Sequence, residues 1–114
     1  KAVVKDKPNF HIAIIMDVSP ECDCWCYNDV PFVPNIGMAA SFDPVALDCA
    51  CCALINSTPI LGNSNTVTDR YPKEICLCDQ DHWKLVHPDT NWQSGVEHGE
   101  KIGLGSRDYE LITL

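Results

Sequence analysis

The chain has 114 residues and 46% hydrophobic content, which suits one domain with a modest core. Its formal charge of −8, with only 8 Lys and Arg, argues against a nucleic-acid role, because phosphate contacts need clustered cations. No apolar run approaches the ~18 residues of a membrane span, and no cationic segment leads into an apolar one, so neither a span nor a signal peptide is expected.

The first element follows almost at once. Ile12-Ala13-Ile14-Ile15-Met16 is apolar without alternation and predicts a strand over 11–16 that is buried on both faces. The chain starts at Lys1 and enters this strand early, which suggests a piece of a longer polypeptide. Asp17-Val18-Ser19-Pro20 ends the strand, since proline cannot donate to a ladder. A long loop over 18–35 follows, stiffened by Pro20, Pro31 and Pro34. Ordered loops of that length are uncommon unless they have a function.

Residues 36–41 predict a second short strand. Asp43-Pro44 then opens a helix, with Asp43 as N-cap and Pro44 in the first turn, running to about Ile55 or Asn56. Val45, Leu47, Ala50 and Leu54 are its packing residues. Residues 56–72 read as loop, with Cys76-Leu77-Cys78 in the segment after it. A short helix over 81–86 stops at His87-Pro88, and Asn91 caps another from Trp92 to about Ile102, ended by Gly103 and Gly105. Residues 109–114 predict a closing strand. The sum is a single α/β domain over 1–114, with a mixed sheet of about three or more strands and two to three helices.

The chemistry concentrates in Cys22-Asp23-Cys24-Trp25-Cys26. Packing gives no reason to place three thiols within five residues. In an extended segment, residues two apart share a side, so the three sulfurs can converge. Convergent thiols oxidise, bind a soft metal or carry out redox chemistry. Their place just past a strand end is where ligands bind in open α/β sheets, and Cys22 and Cys24 are expected to be accessible there. Asp17 and Asp23 beside them are expected to raise their pKa.

Eight cysteines would suggest a disulfide framework in a secreted chain. Here Cys49, Cys51 and Cys52 fall within the predicted helix, and the chain has sheet and helix patterning, so reduced thiols in a cytoplasmic setting fit better. On that helix Cys49 and Cys52 share a face, for which core packing is the default. Cys76 and Cys78 are candidates to complete a four-thiolate site with Cys22 and Cys24. Asp43 reads as a cap, and Asp48 faces solvent or the long loop. His11 reads as a structural histidine, and His82, His87 and His98 lack the spacing of a helical metal pair. No Ser-His-Asp set or phosphate-binding glycine loop is present.

A set of blocks also carries a resemblance. These are Met16-Asp17-Val18-Ser19-Pro20-Glu21-Cys22-Asp23-Cys24, Asn28-Asp29-Val30-Pro31, Val33-Pro34-Asn35-Ile36-Gly37 and Asp43-Pro44-Val45-Ala46-Leu47-Asp48. His87-Pro88, Trp92 and Gly103-Leu104-Gly105-Ser106-Arg107-Asp108-Tyr109-Glu110-Leu111 continue the series. In this order they resemble the C-terminal portion of the uncharacterised iron–sulfur-center proteins, a domain of unknown function interrupted by a two-cluster ferredoxin module. The resemblance implies iron–sulfur clusters in a module upstream of these residues, and it matches the family pattern at Cys22 and Cys24. Cys26, Cys49, Cys51 and Cys52 stand at variable positions of that family. No Cys-x-x-Cys-x-x-Cys run occurs in the chain itself.

The expected function is therefore part of an iron–sulfur protein with an electron-transfer or redox-linked binding role. Cys22, Cys24 and Cys26 are its candidate metal ligands, with Cys76 and Cys78 behind them. Zinc or iron is the expected ion, and the partner is a redox protein or the rest of the same polypeptide. Two alternatives remain open: a metal-dependent enzyme domain with Cys22 and Cys24 at its site, and a structural zinc-binding or partner-docking module.

Overall fold

The isoleucines of the first strand favour extended backbone, and its partner is mostly small residues. In the computed structural model, which describes residues 1–4, 6–63 and 81–114, β1 (His11–Ile15) pairs antiparallel with β2 (Gly37–Ser41). Ala13 stands opposite Ala39 and Ile15 opposite Gly37. Gly37 has φ 133°, a conformation side chains rarely adopt, and it begins β2 where the long loop returns to the sheet.

Helix α1 (Pro44–Ser57) packs against both strands. Its start is built as the Asp-Pro pair predicts. Asp43 Oδ1 accepts from the backbone N–H groups of Val45 and Ala46 at 2.9 and 3.0 Å, and Pro44 gives up no donor in the first turn. Val45, Ala46, Leu47, Ala50 and Ile55 are buried, and Leu54 is packed at the edge of the core. Asp48 is exposed to solvent.

Helix α2 (His82–Val86) has five residues, too few to hold by their own hydrogen bonds, so tertiary contacts hold it. Asp81 caps it through Trp83 and Lys84 N–H, and its second oxygen accepts from Trp92 Nε1 and Gln93 Nε2, both at 3.0 Å. This single carboxylate therefore joins α2 to α3 (Trp92–Lys101). The far end of α3 closes with Gly103 at φ 67°, its N–H on Glu100 O and the Leu104 N–H on Gly99 O, the pairing of a Schellman motif. Gly99 lets α3 approach α1, since a Cβ there would lie 2.9 Å from Val45 Cγ2.

The core gathers Ile15, Phe32, Val33, Ile55 and Val86, with Val18, Ile36, Leu54 and Trp83 around it. His82 is completely buried beside α1: its N–H donates to Asn56 Oδ1 and its Nε2–H to Thr58 O. It is a clamp between α1 and α2, a role its sequence context did not suggest.

The α/β class, the single small domain and, among the described residues, three helices are as expected, but the sheet is smaller. Among the described residues it has two strands, antiparallel, where three or more in a mixed sheet were expected. Residues 109–114 form no strand, and Leu111 and Ile112 are exposed, because no described strand edge receives them. Nor is β1 buried on both faces. Ile12 and Ile14 are 64% and 62% exposed, since the described helices cover only the face carrying Ile15. The Cys76-Leu77-Cys78 segment and most of the loop expected over 56–72 lie outside the described residues.

Candidate functional site: the thiol loop

The chain leaves β1 through Asp17, which has φ 53°, a left-handed conformation that Asp tolerates better than most residues. Its N–H is held by Asn35 Oδ1 at 2.8 Å. The loop that follows is tied at both ends. Phe32 N–H donates to Val18 O, Ile36 N–H to Ile15 O and Leu61 N–H to Phe32 O. Phe32 and Val33, each 1% exposed, anchor its return limb in the core. Buried side chains and hydrogen bonds fix this loop along with its prolines.

Within it, Asn28 acts as the hub. Its Oδ1 accepts from Glu21 N–H and Asp29 N–H, while its Nδ2 donates to Ser19 Oγ and Glu21 O, both at 2.9 Å. One side chain thus closes the segment 19–29 on itself. The only sequence signal was its place in the Asn-Asp-Val-Pro block; nothing there indicated four hydrogen bonds.

The thiols lie in the part of the loop that Asn28 encloses, and their backbone is turned. Trp25 N–H donates to Cys22 O at 2.8 Å and Asn28 N–H to Trp25 O at 3.2 Å, two turns in succession. The extended segment expected here is therefore corrected, because turns satisfy backbone groups that have no neighbouring strand to pair with. Cys22, Cys24 and Cys26 are all exposed. Trp25 and Tyr27 stand edge to face at 6.2 Å on the outer surface. Since the sheet is antiparallel, the site does not occupy the carboxyl end of an open parallel sheet, and that analogy no longer applies.

The Cys22 and Cys24 thiols differ electrostatically. The Cys24 backbone N–H and then its thiol, both hydrogen-bonded to Cys22, hold the Cys22 thiol below its ordinary value. The same contact, seen from Cys24, pushes that thiol up. Desolvation and then the Asp23 charge oppose this at Cys22; Asp23 raises the thiol as expected, but the hydrogen bonds set the net direction.

Cys22 also borders a cleft of about 260 Å³ between the loop and α2. Phe32, Val86 and Trp83 form its apolar part, with Glu21 and His87 beside Cys22. His87 Nε2–H donates to Pro20 O at 2.8 Å and lies 3.5 Å from Glu21 Oε2, linking the end of α2 to the loop across 67 residues. In the sequence His87 reads as a helix stop without the spacing of a metal pair, and no local pattern marks its bond to Pro20.

The other thiols are elsewhere. Cys49, Cys51 and Cys52 are half-buried on α1, and desolvation raises all three, Cys52 to about 12. Cys51 packs against the core, although the helical spacing points to Cys49 and Cys52 for that role. The six described cysteines form no disulfide. Among the described residues no three His, Cys, Asp or Glu side chains gather as a metal-ligand set. Cys22, Cys24 and Cys26 lie in one exposed loop, and Cys76 and Cys78 lie outside the described residues.

Residues 1–53, which carry β1, the thiol loop, β2 and the first part of α1, match a family model described as Domain of unknown function (DUF362). The thiol loop thus lies in the part of the chain that is similar to an uncharacterised domain family. No curated protein and no solved structure matches the chain. Among the described residues, no helix is long and apolar enough to cross a membrane.

Proposed function

We propose that this chain is the thiolate metal-binding part of an iron–sulfur protein with an electron-transfer or redox-linked binding role. Cys22 and Cys24 are its first two ligands, Cys26 is the next donor in the same loop, and Cys76 and Cys78 are candidates to complete a four-thiolate set. The observation that carries the reading is the set of three exposed thiols within five residues of a loop whose shape Asn28 fixes. Soft sulfur donors of this kind suit zinc or iron. The iron–sulfur clusters themselves rest on the resemblance to a family with an upstream ferredoxin module, and the partner is a redox protein or the rest of the polypeptide.

Anaerobic purification followed by metal and sulfide quantification tests this. Iron together with sulfide supports the reading, and one zinc per chain without sulfide replaces it with a structural zinc site. Cys22→Ser and Cys24→Ser should each release the metal and loosen the loop, because metal binding free energy is also folding free energy. Cys51→Ser should leave the metal in place. Equal metal loss in all three variants, or none in any, refutes the assignment.

A further inference from the structure

The described helices cover one face of the β1–β2 sheet, and the other face is apolar and open. Pairing sets Ile12 opposite Ala40 and Ile14 opposite Met38, and all four are exposed. Phe10 and Phe42 stand two residues beyond Ile12 and Ala40, on the same side by alternation, and extend the row with ring centroids 4.9 Å apart. We propose that this face is the interface of a homodimer, in which two copies of the chain stack sheet on sheet. This goes beyond the metal reading and does not depend on it.

The area of the face fits a partner of this size. Phe10, Ile12, Ile14, Met38 and Phe42 are between 53% and 77% exposed. At about 200 Å² for a large side chain, they present roughly 600 Å² of apolar surface, the upper end for the largest patch on an ordinary monomer. Two such faces laid together remove about 1,200 Å² from water, the lower bound of specific interfaces, so a dimer of micromolar strength is expected.

Shape and charge favour a second copy. Two open sheet faces can stack about 10 Å apart with their side chains interleaved. A two-fold axis across the strands near the Ile12–Ala40 pair sets the Phe10–Phe42 end of one copy over the Ile14–Met38 end of the other, and the small Ala40 leaves room between them. None of these residues is charged, so stacking desolvates no ionised group on the face. The formal charge of −8 on each copy acts from outside the face and is screened by salt.

Sedimentation equilibrium of the full chain, from micromolar to submillimolar concentration, tests this. Wild type should reach twice the mass of one chain, and association should tighten as NaCl rises from about 0.05 to about 0.5 M, because like charges are then screened. Ile14→Glu and Met38→Glu should each weaken association at least about a hundredfold, since the dimer would bury an unpaired carboxylate. Both positions are exposed in the single chain, so the variants should keep its fold, checked by far-UV circular dichroism. Ile112→Glu, at a position 73% exposed outside the sheet, should leave the dimer intact. A wild type that stays monomeric throughout gives the face to a different polypeptide and overturns the proposal. So does a dimer that survives both sheet-face variants, one that Ile112→Glu abolishes while Ile14→Glu does not, or association that weakens with salt.

Discussion

Two groups of three cysteines occupy this chain, and the structure gives them opposite characters. Cys22, Cys24 and Cys26 lie exposed on a turned loop, whereas Cys49, Cys51 and Cys52 lie half-buried on α1. The element beneath each group sets the difference. A helix already satisfies its own backbone and turns one face inward, so thiols on it are mainly desolvated and held protonated. A loop leaves backbone N–H groups unspent, and those of Cys24 and Asp23 help to lower the Cys22 thiol. The comparison teaches that closeness in sequence does not make thiols reactive; unspent backbone donors and access do.

The largest expected effect tests that contrast directly. With its thiol pushed up to about 12, Cys52 holds about a thousandth of the thiolate of an ordinary cysteine at neutral pH. Limited alkylation with iodoacetamide, read by peptide mass, should therefore label Cys22 first and Cys52 last, with rates about a thousandfold apart or more. Comparable labelling of the two would break the comparison.

The next test moves one region without the other. Asp43 caps α1 through Oδ1 and, through Oδ2, accepts from Ser106 N–H at 2.8 Å, tying the chain after α3 to the start of α1. Asp43→Ala should cost about 2–3 kcal/mol in denaturant unfolding, more than a cap alone, because a charge-assisted bond is lost with it. Gly105→Ala should also destabilise, since its methyl would run into the same carboxylate. Both should speed labelling of the α1 thiols and leave Cys22 unchanged.

Asn28→Ala is the converse. It removes four hydrogen bonds within the loop and should cost about 1–2 kcal/mol, with the labelling lead of Cys22 over Cys26 shrinking while Cys52 stays protected.

The smallest effect is in acid. Burial pushes the Asp81 carboxyl up, but hydrogen bonds from Trp92, Gln93 and the Lys84 and Trp83 N–H groups outweigh it and hold the carboxyl below the usual value of 3.8. A carboxyl depressed on folding contributes its full stability above the unfolded value and loses it as pH falls through the folded one. Stability should thus decline below about pH 4, and Asp81→Asn, which keeps an acceptor for the α2 cap, should flatten that decline. A decline of equal steepness in the variant would assign the acid sensitivity to other carboxylates.

Local chemistry made much of the fold legible. Asp43-Pro44 announced α1, Asn91 and Gly103 bounded α3, and five apolar residues marked β1, because caps, glycines and β-branched runs act within a few residues of themselves. Sequence also singled out Cys22 and Cys24, whose spacing is rare enough to need a chemical reason. What it could not supply was which faces meet what. Ile12 and Ile14 are as apolar as Ile15, yet only Ile15 has α1 and the core behind it. The cleft beside Cys22 depends on His87 reaching Pro20 across 67 residues, and the closed shape of the loop depends on four bonds to one asparagine. The sequence by itself determined the helix starts and stops and the identity of the exposed thiols, since those rest on short-range sterics and hydrogen bonding. Only the tertiary structure decided which thiol lines the cleft, which are desolvated and how many strands pair, because these depend on long-range contacts that no local pattern encodes.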